Sequence, residues 1–112
     1  MSTEQRESAI VTGAARGIGL AIARKLASRK INVLIVDIRE ELGKQSAAAI
    51  SAEFGVEAVF FKADMRSEED IKNMVAEAVR LWGRLDWAAN NAGLGEPMED
   101  HEDNVSVADF DK

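Results

Sequence analysis

Four short apolar runs alternate with three stretches of helical spacing along this chain. Residues 8–12, 32–36, 58–62 and 85–89 read as strands. The second of these is almost continuously apolar, as expected of a strand covered on both faces. Residues 17–28 read as a helix with Ile18, Ile22 and Leu26 on one face. Residues 40–54 read as a second helix, with acids in its first turn, Ala47, Ile50 and Phe54 as its apolar stripe and Gly55 as its stop. Ser67 caps a third helix, with Asp70 three residues on; Ile71, Val75, Ala78 and Trp82 form its apolar face, and Gly83 ends it. The order is β-α-β-α-β-α-β with short connections. That order predicts an α/β fold with a parallel sheet, right-handed crossovers and helices on both faces, an incomplete doubly wound architecture.

The regular pattern stops at Pro97, the only proline. Residues 1–95 are therefore assigned to one folded unit and residues 96–112 to an acidic loop. Residues 105–112 are ambiguous, since Ser106 with Asp109 could start a helix that the remaining chain is too short to complete.

The chemistry concentrates where strands end. The first strand breaks into Gly13-Ala14-Ala15-Arg16-Gly17-Ile18-Gly19, a G-x-x-x-G-x-G spacing that runs straight into a helix. Strand, glycine turn and helix in that order form an entry to a phosphate cradle, with free N–H groups and the helix dipole facing an anion. Glycine spacing alone also fits an ordinary strand-to-helix turn. The other strand ends give the reading its weight. Asp37 follows the second strand, Asp64 the third, and Asn90-Asn91-Ala92-Gly93 the fourth. Ligands of doubly wound sheets bind at these carboxyl ends. Asp37 is placed to accept hydrogen bonds from both ribose hydroxyls of an adenosine and to repel a 2′-phosphate. Asp64 is placed for the adenine edge, and the small-residue fourth end for a ribose. Each also has a plainer reading as a solvated or turn-forming residue. Arg16 and Arg39 favour NADP, whereas Asp37 favours NAD; desolvating two close anions is costly, so NAD is the preferred cofactor.

Composition narrows the class. The net charge of −6 is not evenly spread. Residues 1–95 hold 13 acids and 13 Lys or Arg, and residues 96–112 hold seven acids and one lysine. The folded part thus offers no electrostatic reason to bind nucleic acid or an anionic membrane. There is no cysteine, hence no disulfide framework and no thiolate metal site. The start lacks the apolar core of a signal peptide, and the apolar run at residues 31–36 is too short to cross a bilayer, so a cytoplasmic location is expected. Trp82 and Trp87 read as packing residues, His101 as solvated, and Arg84 with Asp86 as a surface pair.

Together, the Thr12–Gly19 turn, Asp37, Asp64 and Asn90-Asn91-Ala92-Gly93 resemble the short-chain dehydrogenase/reductase family over about residues 8–95. The resemblance implies a Rossmann fold that binds NAD or NADP. It implies that Gly13, Arg16, Gly17, Ile18 and Gly19 meet the pyrophosphate and nearby ribose, and that Asp37 holds the adenine ribose. By the same resemblance Asp64 and Met65 meet the adenine, Asn91, Ala92 and Gly93 the second ribose region, and Asn90 ties neighbouring strands. The family's Tyr-x-x-x-Lys motif has no counterpart, because the chain contains no tyrosine. No catalytic residue is assigned. Two readings follow: the first half of an oxidoreductase for an alcohol or ketone, not catalytic alone, or a non-catalytic dinucleotide- or partner-binding module. In either, residues 85–89 are expected to form an open sheet edge that invites self-association or pairing with another chain.

Overall fold

The computed structural model describes residues 6–91 and the strand at residues 106–109. Its elements run β1 (Ser8–Thr12), α1 (Gly17–Ser28), β2 (Asn32–Asp37), α2 (Glu40–Phe54), β3 (Ala58–Lys62), α3 (Glu68–Trp82), β4 (Trp87–Asn90) and β5 (Ser106–Asp109). The sheet order is β3-β2-β1-β4-β5. The first four strands in that order are mutually parallel, as the alternation predicts.

Side-chain alternation along β2 builds two cores at once. Val33 and Ile35 face α1 and α2, meeting Ala23, Ala27, Ala47 and Ile50. Leu34 and Val36 face the other way, meeting Met74 and Ala78 of α3. Every residue of β1 and β2 is buried, which is why β2 reads as an unbroken apolar run. Helix ends follow local chemistry: the Ser67 hydroxyl accepts from the Asp70 N–H at 3.1 Å, and α2 and α3 end at Gly55 and Gly83.

Three expectations are corrected. First, the fully buried residues of α1 are Gly19, Ala23 and Ala27; Ile22 and Leu26 pack only partly buried against the same core, and Ile18 is exposed. Small residues let the helix axis approach the sheet, and the larger stripe turns sideways. Similarly, on α3 it is Met74 that is buried beside Ala78, while Ile71 is exposed. Second, β4 is not an open edge. Residues 106–109 form an antiparallel strand rather than a helix start, with Trp87 opposite Asp109 and Asn90 opposite Ser106. Backbone pairing with β5 satisfies the edge that was expected to seek another chain. Third, Arg84 and Asp86 are no surface pair. Asp86 is buried, and its carboxylate accepts from the Ser8 N–H at 3.0 Å as well as from the Arg84 guanidinium at 2.8 Å. The Ser8 hydroxyl also donates to the Arg84 carbonyl. This lattice pins the start of β1 to the approach to β4.

One close contact fixes α2 on the sheet. A Cβ at Gly43 would lie 2.1 Å from the Phe60 ring, so the ring packs directly on the helix backbone.

The Arg84 guanidinium, with the Ser8 N–H, holds the Asp86 carboxyl below its ordinary value despite its burial. A depressed folded value stabilises the protein above the unfolded value, and that contribution disappears as pH falls. Asp86→Asn is expected to cost about 2 kcal/mol at neutral pH in urea denaturation, the scale of a hydrogen bond to a charged group. The difference from the parent chain should shrink as pH drops below about 4.

Candidate dinucleotide site at the strand ends

The turn between β1 and α1 is held by three other segments: β2, α2 and the end of β4. The Ala14 N–H donates to the Val36 carbonyl at 3.2 Å, and the Ala15 N–H donates to Asp37 Oδ2 at 2.9 Å. The Ser46 hydroxyl of α2 donates to the Ala15 carbonyl at 2.8 Å. From the end of β4, Asn91 Nδ2 reaches the Gly13 carbonyl at 3.4 Å and the Asn91 N–H donates to Thr12 Oγ1 at 2.8 Å. The Thr12 hydroxyl in turn donates to Asn90 Oδ1 at 3.1 Å, so Asn90 ties β4 to β1.

Glycines are required here on geometric grounds. A Cβ at Gly19 would lie 2.1 Å from the Gly13 carbonyl oxygen and 2.8 Å from Asn91 Nδ2. Gly17 has φ of +66°, and nothing stands within 4 Å of where its Cβ would be, so the turn opens outward at that point. Gly13 also has positive φ.

The three helices differ at their N-termini. α3 has a side-chain cap and three acids in its first turn, and α2 has Glu40 and Glu41. α1 has neither: its cap position is Arg16, which makes no capping hydrogen bond, and its first turn holds no acid. Its leading N–H groups, like those of α2, have no side-chain cap, and it alone of the three has no first-turn acid to offset the positive end of its dipole. Beside this terminus lies Asn91 Oδ1, a buried acceptor without a hydrogen-bond partner among the described residues. Buried acceptors are seldom left unmet, so this atom suits a donor brought by a ligand or water.

The remaining residues sit around this terminus with partners of their own. Asp37 is 4% exposed. Besides Ala15, its carboxylate accepts from the Arg39 N–H at 3.0 Å and the Arg39 guanidinium at 3.1 Å. Asp64 lies at the same end of the sheet, since the Ala63 N–H donates to the Asp37 carbonyl. Its carboxylate is gripped by the side chain of Arg66 at 3.1 and 2.9 Å, and also accepts the Arg66 N–H; these contacts lower its pKa to about 2. Met65 lines a hollow of about 220 Å³ between α3 and β4, together with Ile71, Met74 and Asn90. Ile18 is half exposed and flanks the turn. Ala92 and Gly93 lie outside the described residues, as does His101.

Two contributors escape a reading of the sequence. Ser46 is a polar residue on the buried stripe of α2, three positions after Gly43, and that placement was the available signal. Ile38, 55% exposed beside Asp37, is a large apolar side chain standing at the mouth of the site; a bare count of polar strand ends passes over it.

The sequence pattern described as short chain dehydrogenase matches residues 7–112. The chain belongs to the short-chain dehydrogenase family. It is 39% identical over 104 residues to the short chain dehydrogenase/reductase astE of Aspergillus oryzae, a match covering 89% of this chain and 40% of that protein. It is 39% identical over 105 residues to xanthoxin dehydrogenase of Arabidopsis thaliana, covering 92% of this chain and 36% of that one. Among solved structures, an alcohol dehydrogenase from Thermococcus sibiricus, complexed with 5-hydroxy-NADP, superposes with a TM-score of 0.69 at 28% identity, covering 73% of this chain and 35% of that one. This short-chain dehydrogenase chain thus spans roughly two fifths or less of the length of these relatives.

Gly19→Ala is expected to destabilise the chain by about 1–3 kcal/mol through overpacking against the Gly13 carbonyl. Gly17→Ala, whose methyl meets open space, should cost only the left-handed backbone term of about 1–2 kcal/mol. Thermal melts of the two variants test this, and separating the site from the fold requires Gly17→Ala to keep its helix content by circular dichroism.

Proposed function

We propose that this chain forms the nucleotide-gripping part of an NAD(P)-dependent oxidoreductase. The observation that carries the reading is the N-terminus of α1, which has no cap, no acid and an outward-opening glycine at its first position. Such a terminus suits the charge and width of a pyrophosphate. The N–H groups of Gly17, Ile18 and Gly19 would face the phosphates, below the turn begun at Gly13, and Arg16 would add a mobile positive charge. Asp37 would receive the adenine ribose, Asp64 and Met65 the adenine, and Asn91, with Ala92 and Gly93, the second ribose region. Asn91 Oδ1, the acceptor left unmet in the burial pattern, fits this role.

The nicotinamide would supply hydride exchange with an alcohol or ketone. This chain's own residues bind and orient; none is assigned proton transfer, since none is a tyrosine. The second reading is a module that binds a dinucleotide without turnover. The Thermococcus enzyme's nucleotide supports the cofactor class for this chain through family membership. A cysteine-free chain also suits the reducing cytoplasm.

Asp37 supports NAD over NADP. Its Oδ1 is the atom available to a ribose, once the half-exposed Arg39 guanidinium swings aside. Arg39 is at the same time the group best placed to answer a 2′-phosphate. Asp37→Asn keeps an oxygen for the Ala15 N–H while removing the charge. Titration calorimetry with NAD and NADP on the parent chain should show NAD binding more tightly. The Asn variant should lose about tenfold or more for NAD, the scale of one charged hydrogen bond, and hold or gain for NADP. Failure of both nucleotides to bind or to raise the melting temperature at millimolar concentration would overturn the reading. A tyrosine-free chain that binds NAD but yields no NADH from alcohols favours the module.

A further inference from the structure

Asp37-Ile38-Arg39 stands at the end of β2, and Asp64-Met65-Arg66 stands just past β3. In both, the aspartate accepts the N–H of the arginine two residues on, and its guanidinium as well. The grips differ. Arg39 gives one guanidinium bond, to Oδ1, and Asp37 Oδ2 goes to the Ala15 N–H. Arg66 straddles its carboxylate, Nε to Oδ1 at 3.1 Å and Nη2 to Oδ2 at 2.9 Å. The Arg66 N–H adds a further bond to Oδ1 at 2.9 Å. The main chain of Asp64 is fixed too. Its N–H donates to Asp70 Oδ2 at 2.8 Å, and its carbonyl accepts the Ser67 N–H at 2.9 Å. Arg66 is 87% exposed, so the pair adds little to stability. Its effect is on direction. A carboxylate offers about four acceptor positions, two on each oxygen. Arg66 takes both on Oδ1 and one on Oδ2. That leaves one position, on Oδ2, held in a fixed plane by a rigid fork.

We propose that Arg66 is a positioning residue that makes Asp64 a single directed acceptor, through which the chain selects a 6-aminopurine nucleotide over a 6-oxopurine one. This role rests on the placement of adenine at Asp64 proposed above. The 6-amino group of adenine donates to that acceptor. Hypoxanthine has an oxygen at the same position, which sets lone pair against lone pair, and carries its nearest donor at N1 instead. A carboxylate free to turn would follow the donor to N1 and serve both bases. One held in the Arg66 fork does not turn, so the oxo base loses its bond. The same contacts lower the Asp64 pKa to about 2, so the carboxyl has no proton of its own to offer the oxo group.

Titration calorimetry of NAD against nicotinamide hypoxanthine dinucleotide tests this on the unaltered chain, on Arg66→Ala and on Arg66→Lys. The unaltered chain should bind NAD about tenfold tighter than the hypoxanthine analogue, the scale of one hydrogen bond to a charged group. Arg66→Ala should bring the two ligands to within about twofold of each other. Arg66→Lys keeps the charge but not the fork, so its ratio should stay close to that of Arg66→Ala. Circular dichroism should show the helix content of both variants unchanged. A second measurement needs no nucleotide. The Asp64 carboxyl carbon, followed by NMR, should titrate at about 2 in the unaltered chain and move up towards the usual carboxylate range in Arg66→Ala. Equal binding of the two dinucleotides to the unaltered chain, an unchanged preference in Arg66→Ala, a full preference kept by Arg66→Lys, or an Asp64 titration that does not move would each overturn the role of Arg66 and leave the dinucleotide reading standing. Binding of neither dinucleotide to the unaltered chain would remove both.

Discussion

The glycine turn between β1 and α1 is the constraint from which the rest of the molecule follows. It is short, it carries positive backbone angles, and it leaves no room for a methyl group where the helix passes the Gly13 carbonyl. Such a turn has little conformational latitude of its own, so neighbouring segments must hold it. They do so through Val36 and Asp37 of β2, Ser46 of α2 and Asn91 at the end of β4. The effect is that the ends of β1, β2 and β4 converge on one helix terminus. Convergence is not a separate achievement of the fold. It is the same set of bonds that closes the turn.

Asp37 shows how support and binding are combined in one side chain. One oxygen faces inward to the Ala15 N–H and shapes the turn. The other faces the Arg39 backbone and guanidinium and borders the site. A residue with both duties is poorly described as a ligand alone, because its removal would loosen the cradle as well as alter what the cradle prefers.

Much of this was legible in the sequence, and the parts that were not have physical causes. Element boundaries were legible because they are set by local chemistry: the Ser67 hydroxyl, the glycines at positions 55 and 83, and the switch from continuous to helical apolar spacing. The strand ends of the candidate site were legible for the same reason. Which face of α1 meets the sheet was not. Bulk suggests Ile18, Ile22 and Leu26, and the last two do pack against the core, but full burial falls to the smallest side chains, Gly19, Ala23 and Ala27. The burial of Asp86 was hidden because its partner Ser8 lies 78 positions away in the sequence. The cover on β4 was hidden because a four-residue antiparallel strand, Ser106–Asp109, is chosen by the edge it finds and hardly at all by its own residues.

The contact between Gly43 and Phe60 ties a helix to a strand without any polar bond. The ring occupies the space that a methyl at position 43 would need, so the two positions cannot drift independently over evolutionary time. A lineage that gains a side chain at 43 must first shrink the aromatic at 60, and one that keeps the aromatic is held to glycine. The pair should therefore change together, as a single inherited character, wherever this half of the fold is reused.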